Sequence, residues 1–334
     1  MSAGEHQRPD MFDITIIGGG PVGLFGLFYA GLRGLKAKLI DSLAELGGQI
    51  ITLYPEKYIF DVAGYPKILA KDLVKNCVEQ GLRFDPAVCL EEKVLGLSYD
   101  ADRVICLRTD KGEHWTRAVV LTVGVGAFQP KKLQLPDVER LEGHGVYYFV
   151  KEKQGFAGKT VLIVGGGDSA VDWALMLKDL AKKVILIHRR DKFRAHEQSV
   201  QELMESGVDV KLYYELKAVQ GSDQVEGATI FHNKTGEEQE IKVDALVLSL
   251  GFLADLGPIK TWGLVIENNA ILVNERMETD LPGVYAAGDV VGHPGKLKLI
   301  TTGQGEAAIA VNFAATYIDP DSKAFPGHSS TMNL

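Results

Sequence analysis

The chain has 334 residues, 46% of them hydrophobic, and a formal net charge of −8. This length and apolar content suit two medium-sized domains with hydrophobic cores, and the acidic balance indicates no nucleic-acid partner. No apolar run approaches the roughly 20 residues of a membrane span, and the polar N-terminus lacks the hydrophobic region of a signal peptide. The three cysteines, Cys77, Cys89 and Cys106, show neither C-x-x-C nor metal-type spacing, so we expect buried thiols in a cytoplasmic protein.

A strand–turn–helix–strand unit opens the chain. Its elements are a strand at 14–17, a glycine-rich turn at 18–23, a helix at 24–33 and a strand at 37–40. In the turn, Gly18 allows the tight bend, Gly20 lets the backbone approach a pyrophosphate, and Gly23 lets helix and strand pack closely. Asp41 follows the last glycine by 18 positions and can accept hydrogen bonds from a ribose 2′-OH. The unit therefore predicts a dinucleotide site.

Between this unit and the middle of the chain the pattern predicts smaller elements. Residues 46–61 combine paired glycines with several aromatic residues; either the backbone passes close to a ligand, or a loop packs on its own aromatic side chains. An amphipathic helix is expected at 67–80. Strands with hairpin turns at 100–102 and 110–112 follow, ending in the apolar run 118–123.

A second unit of the same design begins about 147 residues after the first. It consists of a strand at 160–164, the turn Gly165-x-Gly167-x-x-Ala170, a helix at 171–180 and a strand at 183–187. Two such units predict two different dinucleotides in one enzyme, with electrons passing between them.

The residues after the second unit indicate which dinucleotide it binds. The position that corresponds to Asp41 is His188, and Arg189 and Arg190 follow it. A carboxylate there would repel a 2′-phosphate, whereas guanidinium groups pair with it through charge-assisted hydrogen bonds. We therefore predict NADP(H) in the second unit, with Arg194 as a further contact; the alternative is a surface arginine pair that ends a strand.

Glycines divide the chain into domains. The apolar run 245–250 ends at Gly251 as the run 118–123 ends at Gly124, so we expect the chain to cross between domains at these two places. The predicted fold class is α/β, with two Rossmann-like dinucleotide-binding domains. The first is split in sequence (1–123 and 252–334, with a C-terminal extension at about 319–334), and the second (124–251) is inserted into it.

The last segment brings an acidic residue to a helix start. Ala287-Gly288-Asp289 ends a strand, and a long apolar helix is expected at about 303–317. A carboxylate beside a helix N-terminus suits a polyhydroxyl chain together with a developing negative charge.

Together the two glycine turns, His188-Arg189-Arg190 and Ala287-Gly288-Asp289 resemble the two-dinucleotide flavoproteins of the thioredoxin reductase family. This resemblance covers about 12–317 and implies FAD in the first domain and NADPH in the second. The branch that reduces dithiols has a C-x-x-C pair just upstream of the second glycine turn. Here the stretch 147–153 contains no cysteine, and dithiol chemistry needs two sulfurs there, so thioredoxin reduction is excluded.

Longer matches resemble one subgroup, the thioredoxin-reductase-like ferredoxin/flavodoxin–NADP+ reductases. They cover 53–58, 165–174, 188–197 and the tail Pro326-Gly327-His328-Ser329-Ser330. The resemblance implies that Tyr54 stacks on one face of the isoalloxazine and His328 of the partner subunit on the other, with Ser329 near flavin N5. From composition alone the tail would be a disordered polar terminus.

By the same resemblance the cofactors contact residues along the whole chain. The cofactor-binding residues that we expect are Gly18, Gly20, Pro21, Gly23, Asp41, Gly48, Gln49, Tyr54, Asp61, Val88, Gly124, Phe128, Gly167, Ser169, Ala170, His188, Arg189, Arg190, Arg194, Gly288, Asp289, Thr302 and Ser329.

The activity implied is that of a ferredoxin (or flavodoxin)–NADP+ reductase, with hydride exchange between NADP(H) and flavin N5 and single-electron transfer to the carrier. A homodimer without metal is implied as well. Because ferredoxins are acidic, Lys296 and Lys298 are candidates for a docking patch; a solvated loop is the alternative. Two rival functions are an NADPH diaphorase or quinone reductase of the same fold and a non-enzymatic, redox-sensing flavoprotein.

Overall fold

The computed structural model describes residues 10–324 and 327–331 and divides the chain into two compact units. The split unit contains 1–128 and 254–334, and the inserted unit contains 129–253. The chain thus changes units at 128/129 and 253/254, where the sequence analysis expected 123/124 and 251/252. No helix in the described part of the chain combines the length and the apolar character that crossing a membrane requires.

The first segment alternates strands and helices before an antiparallel stretch. Its elements are β1 (Phe12–Ile17), α1 (Pro21–Leu32), β2 (Ala37–Ile40), α2 (Gly48–Leu53), β3 (Tyr58–Ile59), β4 (Ile68–Leu69), α3 (Ala70–Gly81), β5 (Ala87–Cys89), β6 (Val94–Tyr99), β7 (Ile105–Thr109), β8 (Glu113–Leu121) and β9 (Ala127–Pro130).

The inserted segment has the second strand–turn–helix–strand unit and a three-stranded meander. Its elements are α4 (Pro136–Arg140), β10 (Val146–Tyr147), β11 (Thr160–Gly165), α5 (Asp168–Leu177), β12 (Lys183–His188), α6 (Glu197–Glu205), β13 (Asp209–Leu212), β14 (Tyr214–Gln220), β15 (Gly227–His232), β16 (Glu238–Lys242), β17 (Ala245–Ser249) and β18 (Phe252–Asp255). A 3₁₀ turn covers Lys153–Phe156.

The closing segment returns to the split unit. It contains β19 (Ile266–Glu267), β20 (Ala270–Leu272), β21 (Val284–Ala286), β22 (Val291–Gly292) and α7 (Ile300–Ile318), with 3₁₀ turns at Gly257–Thr261 and Ser329–Thr331.

A seven-stranded sheet organises the split unit. Its strand order is β5-β2-β1-β8-β7-β6, and β21 also pairs with β8. Strands β1, β2, β5, β8 and β21 are parallel to their neighbours in this group, while β6, β7 and β8 pair antiparallel. Successive side chains face opposite sides of the sheet. Ala118 and Val120 therefore enter the core beneath α1, α3 and α7, and Val119 and Leu121 enter the core on the other face. Burial on both faces is why these strands are continuous apolar runs.

The inserted unit repeats this arrangement with a smaller, fully parallel sheet. Its strand order is β10-β17-β11-β12-β13. Leu162 and Val164 enter one core, and Val161 and Ile163 enter the other, where α5 packs. The fold class expected from the sequence, an α/β protein with Rossmann-like sheets, is confirmed. Within the described residues, however, 48–53 form the short helix α2, where only a loop or a ligand-contacting backbone segment was expected.

A polar cluster is buried beside β2 and β8 in the split unit. Lys38 Nζ donates to Nδ1 of His114 at 2.8 Å, which leaves Nε2–H of His114 to donate to Glu92 Oε1 at 2.6 Å. Thr109 Oγ1 donates to the same carboxylate oxygen at 2.6 Å. Burial acts to raise the pKa of Glu92, but the hydrogen bonds from Thr109 and His114 outweigh it, and the pKa is lowered. Glu92 is therefore a paired, ionised carboxylate at neutral pH.

We predict that Glu92→Gln lowers the free energy of unfolding at pH 7 by about 1–3 kcal/mol, because the hydrogen bonds from Thr109 and His114 lose their charged acceptor. Since the folded pKa is depressed, this contribution is complete above the ordinary glutamate pKa of about 4.3 and is lost as the pH falls through the folded value. Urea unfolding of wild type and variant at pH 7 and between pH 4 and 3 measures both effects. Glu79→Gln, at an exposed position on α3, is the control and should change little. A difference between wild type and Glu92→Gln that grows towards acid pH would contradict the assignment.

Candidate functional site

The carboxyl ends of four parallel strands meet at one edge of the seven-stranded sheet. Ile17 lies beside both Ile40 and Leu121, and Ala286 lies beside Leu121. The residues that directly follow these strands therefore come together at this edge. Ligands of open α/β sheets bind at such an edge. Four groups of predicted cofactor residues belong to it: the turn at 18–23, Asp41, Gly124, and Gly288 with Asp289.

Within the first glycine turn, Gly18 and Gly23 have no room for a side chain. Gly18 has φ +109°, and a Cβ on Gly23 would lie 1.9 Å from the Gly18 carbonyl oxygen. Helix α1 begins directly after the turn, with Gly20 at its N-cap, Pro21 in its first turn and no side-chain cap. The only described atom within 4 Å of a Cβ on Gly20 would be the Cα of Gly48, at 4.0 Å. The turn thus forms an open backbone cradle with unpaired helix N–H groups, which fits a pyrophosphate.

Asp41 closes one side of this cradle. Its carboxylate accepts hydrogen bonds from the backbone N–H of Gly19 and, at 2.8 Å, from that of Leu43. Burial raises the pKa of this carboxyl group, and the backbone donors oppose the shift. Each oxygen keeps a second lone pair, so the side chain can accept ribose hydroxyls while it holds the glycine turn.

Helix α2 lies against the turn through its first residues. The Gly47 N–H donates to the Gly19 carbonyl at 2.8 Å. A Cβ on Gly48 would come within 2.9 Å of the Gly20 Cα, and one on Gly124 would come within 3.0 Å of Gln49 Nε2. Two predicted cofactor residues, Gln49 and Gly124, are thus brought into contact. The paired glycines in the sequence indicated this close backbone contact. Helix α2 itself was not predicted, because a six-residue helix is too short to show the helical period of apolar residues.

Tyr54 lies within electrostatic reach of both Asp61 and Asp289. Burial raises the pKa of the half-buried Tyr54 phenol, and the nearby carboxylates of Asp289 and Asp61 add to the shift. The phenol is therefore uncharged at neutral pH. In the part of the chain that the structure describes, the Asp289 carboxylate has no hydrogen-bond or ion-pair partner. An acceptor without a partner beside an aromatic ring suits a ligand with both hydroxyl groups and a flat ring.

A buried carboxylate holds the peptide that precedes Asp289. Glu306, the one charged residue of α7, accepts the Gly288 N–H at 2.8 Å and the Lys296 ammonium at 2.6 and 2.7 Å. His293 Nε2 lies 3.0 Å from the same carboxylate. Both side chains of the Lys296–Glu306 pair are 9% exposed. This cluster fixes the left-handed Gly288 (φ +84°) and with it the direction of Asp289. The sequence analysis missed Glu306, although a lone carboxylate in an apolar helix is a usable signal.

The start of α7 lies next to this cluster. A Cβ on Gly303 would come within 3.1 Å of the Gly288 Cα, so the first turn of the helix lies against the Gly288 peptide. Leu299 occupies the N-cap without a side-chain cap, and Thr302 Oγ1 donates to the Leu297 and Leu299 carbonyls at 2.8 and 3.0 Å. The predicted contact residue Thr302 therefore lies at an uncapped helix start, which is favourable for negative charge.

One expectation about this region is wrong. Lys296 was a candidate for an exposed docking patch, but its ammonium is buried in the ion pair with Glu306. A buried, paired lysine cannot attract a protein partner from solution. Lys298, by contrast, is exposed.

The inserted unit has its own cradle at the carboxyl ends of β11 and β12. A Cβ on Gly165 would lie 2.4 Å from the Ser249 carbonyl oxygen, whereas no described atom lies within 4 Å of a Cβ on Gly167. Helix α5 starts after Gly167, again without a side-chain cap, with Ser169 exposed and Ala170 buried in its first turn. The geometry matches that of the first cradle and fits a second pyrophosphate.

His188 and the arginines after it take different positions around this cradle. The ring of His188 is buried beneath Gly166, stacks on Phe193 with ring centroids 5.0 Å apart, and donates from Nε2 to the Lys192 carbonyl at 3.0 Å. Burial lowers the pKa of His188, so the ring is uncharged at neutral pH and contributes packing beneath the turn.

The positive charge beside the second cradle therefore comes from the arginine side chains. Arg189 and Arg190 are exposed at the end of β12, and the Arg194 N–H donates to the Gly166 carbonyl at 2.7 Å, which brings that exposed residue back to the turn. Three arginines beside a cradle suit an additional phosphate.

Four further predicted residues lie elsewhere. Val88 is exposed in β5, paired beside Leu39 of β2. Phe128 belongs to strand β9, but its side chain lies outside the described part of the structure. His328 is exposed and Ser329 begins an exposed 3₁₀ turn, while Pro326 of the same motif lies outside the described residues.

The three cysteines do not form a dithiol site. All three are free thiols, and Cys77 and Cys106 are buried. Burial raises the pKa of each, to about 11 for Cys77. Protonated thiols are poor nucleophiles, so the cysteines do not take part in the chemistry of this site.

A family model for pyridine nucleotide-disulphide oxidoreductases matches residues 12–307. The chain belongs to this family. The fold of this chain is similar to that of a solved structure, the thioredoxin reductase of Lactococcus lactis. That structure has a TM-score of 0.77 and 26% identity, with 92% of this chain and 99% of that one covered.

Relatives with higher identity carry a different name. The ferredoxin–NADP reductase of Halalkalibacterium halodurans is 49% identical over 98% of this chain and 99% of its own length. Ferredoxin–NADP reductase 2 of Shouchella clausii is 51% identical over 98% of this chain and 99% of its own length. The likeness therefore extends over both units and is not confined to one nucleotide-binding motif.

We predict that Glu306→Leu destabilises the protein by about 3–5 kcal/mol, because it leaves the Lys296 ammonium buried and unpaired. The double variant Glu306→Leu, Lys296→Met removes both charges and should recover most of this loss. If the cluster also orients Asp289, the double variant should still bind FAD roughly tenfold more weakly, since a charge-assisted hydrogen bond to the Gly288 N–H is gone. Urea unfolding of the flavin-free protein and FAD titration separate the two effects. Wild-type FAD affinity in the double variant would limit the cluster to a stabilising role.

Proposed function

We propose that this protein is a ferredoxin–NADP+ reductase. The observation that carries the proposal is the pair of open glycine cradles whose neighbouring side chains differ in charge. The first has the Asp41 carboxylate, and the second has Arg189 and Arg190. The protein has no C-x-x-C pair that could carry electrons onward as a dithiol. The full-length relatives named ferredoxin–NADP reductase agree with this combination.

FAD is assigned to the split unit and NADP(H) to the inserted unit. The flavin pyrophosphate would bind in the cradle of Gly18, Gly20 and Gly23, and Asp41 would accept hydrogen bonds from the ribose hydroxyls. Tyr54 and Asp289 would hold the ring and the polyhydroxyl chain, and the uncapped start of α7 would favour the negative charge. In the inserted unit the Gly167 cradle would hold the phosphates, and the arginines would contact the 2′-phosphate.

When bound, FAD supplies the ability to take up a hydride and to pass electrons on one at a time. In the overall reaction one NADPH becomes NADP+ and a proton, while two carrier molecules each gain one electron. Residues of the chain would orient the flavin and set its electrostatic environment. Tyr54 offers an uncharged aromatic face, Glu306 holds the Gly288 peptide, and the first turn of α7 favours added negative charge on the ring.

Further parts of the proposal rest on resemblance. The tail would bring His328 of the partner subunit onto the second face of the ring, with Ser329 near flavin N5, which requires a homodimer. Flavodoxin is a second acceptor to be tested beside ferredoxin. A cytoplasmic location is consistent with three free thiols.

Anaerobic stopped-flow mixing tests the function. We expect the purified protein to be yellow and its flavin absorbance near 450 nm to bleach on mixing with NADPH. Absorbance should return when oxidised ferredoxin is added in a second mix. A protein that bleaches but is reoxidised only by quinones would be a quinone reductase instead. One that does not bleach with NADPH would not be a reductase of this type.

We predict that the double variant Arg189→Ala, Arg190→Ala lowers kcat/KM for NADPH at least tenfold and leaves kcat/KM for NADH nearly unchanged. Charge-assisted hydrogen bonds to a phosphate contribute about 1.5–3 kcal/mol each, and NADH lacks that phosphate. Steady-state ferricyanide reduction with both nucleotides measures the change. Lys242→Ala, an exposed cation on β16 of the same unit, is the control. An unchanged preference for NADPH would remove these two arginines from the phosphate site.

A further inference from the structure

Large apolar side chains are exposed in one region of the split unit. Twelve large apolar residues are at least one third exposed among the described residues, and five of them belong to two neighbouring segments, 58–65 and 297–299. Phe60 is 66% exposed, Leu297 59% and Tyr58 53%. Exposed apolar side chains are ordinary when scattered, but a group of them marks an interaction surface.

Hydrogen bonds hold the two segments next to each other. The Ala63 N–H donates to Thr301 Oγ1 at 3.3 Å, and Thr302 Oγ1 donates to the Leu297 carbonyl at 2.8 Å. Both contacts tie the segments to the first turn of α7. The same turn lies beside the Gly288 peptide, and Asp61 lies within electrostatic reach of Tyr54. The two segments that carry the exposed apolar residues therefore lie next to the site assigned to the flavin ring.

Positive charge accompanies these apolar residues. The Lys67 ammonium lies 3.9 Å from the ring centroid of Tyr58 and 5.9 Å from that of Phe60. Lys298 is exposed between Leu297 and Leu299. The protein as a whole has a net charge of −8, whereas these two exposed lysines outnumber Asp61, the one acidic residue of the two segments.

We propose that Tyr58, Phe60, Lys67, Leu297 and Lys298 form the docking surface for a small acidic electron-carrier protein. This inference rests on the proposed function, of which it specifies the partner site. The apolar side chains would form the centre of a small, transient contact, and the lysines would steer and orient the carrier from its rim. The proposed homodimer would bring the partner's tail to the ring, so a second copy of this chain is the competing occupant of this surface.

Charge reversal combined with an electron-transfer assay tests the surface. The variants are Lys67→Glu, Lys298→Glu together, and Phe60→Ser alone. The matched control is Lys234→Glu, Lys242→Glu, which changes the net charge equally; the Lys234 ammonium lies over the Tyr213 ring at 3.7 Å. Each protein is assayed with NADPH at saturation, using a bacterial [4Fe–4S] ferredoxin with cytochrome c as final acceptor. The same proteins are assayed with ferricyanide.

The lysine variant should lose at least tenfold in kcat/KM for ferredoxin at low ionic strength and become less sensitive to salt. Phe60→Ser should lose kcat/KM at all ionic strengths. Both should keep wild-type ferricyanide reduction and FAD content, and the control pair should behave as wild type in both assays. Ferredoxin kinetics within twofold of wild type in both variants would overturn the proposal.

Light scattering on the same samples addresses the competing occupant. A fall in molecular mass in the lysine variant or in Phe60→Ser would assign the surface to a second copy and would also overturn the proposal. Failure of the proposed function has a different signature, because wild type itself would then not pass electrons from NADPH to ferredoxin.

Discussion

The close backbone contact inside the first glycine turn constrains the rest of the split unit. A side chain on Gly23 would overlap the Gly18 carbonyl, so α1 can begin directly at the end of β1 only if both positions lack a Cβ. This fixes the unpaired N–H groups at the start of α1 against the sheet edge where β2, β8 and β21 end. The phosphate-binding geometry follows from the way that strand and helix pack. The inserted unit forms a similar turn around Gly165, although Ala170, which has a Cβ, stands at the position of Gly23.

Much of this fold follows from the sequence, because strands buried on both faces must be continuous apolar runs. The runs at 37–40, 160–164 and 245–250 all lie on strands of the two sheets. Three of the helices were predicted to begin three residues late, whereas the helix predicted from 67 begins at Ala70. Helix α1 starts at Pro21, α5 at Asp168 and α7 at Ile300, where the sequence analysis placed 24, 171 and 303. The first turn of each contains glycine, proline or polar residues, which carry no apolar period.

The residues of the candidate site were also only partly predictable from the sequence. The glycine positions and Asp41 were predictable because they meet requirements of the backbone and of one ribose, at fixed spacing. The Glu306 cluster was not, because its hydrogen bonds join residues 10 to 18 positions apart across a loop. The predicted docking role of Lys296 was wrong because a sequence does not distinguish a solvated ammonium from one that is buried and paired. His188 is a similar case, with its ring beneath the turn and its arginine neighbours outside.

The environments of the three cysteines affect how readily the protein is oxidised. Peroxide oxidises a cysteine through its thiolate form, so a thiol that stays protonated is protected. At pH 7 a thiol with the pKa of about 11 of Cys77 is ionised in only about one molecule in ten thousand. Burial raises the pKa of Cys89 and Cys106 as well. The raised pKa of each thiol therefore slows its oxidation to sulfenic acid, most of all at the buried Cys77.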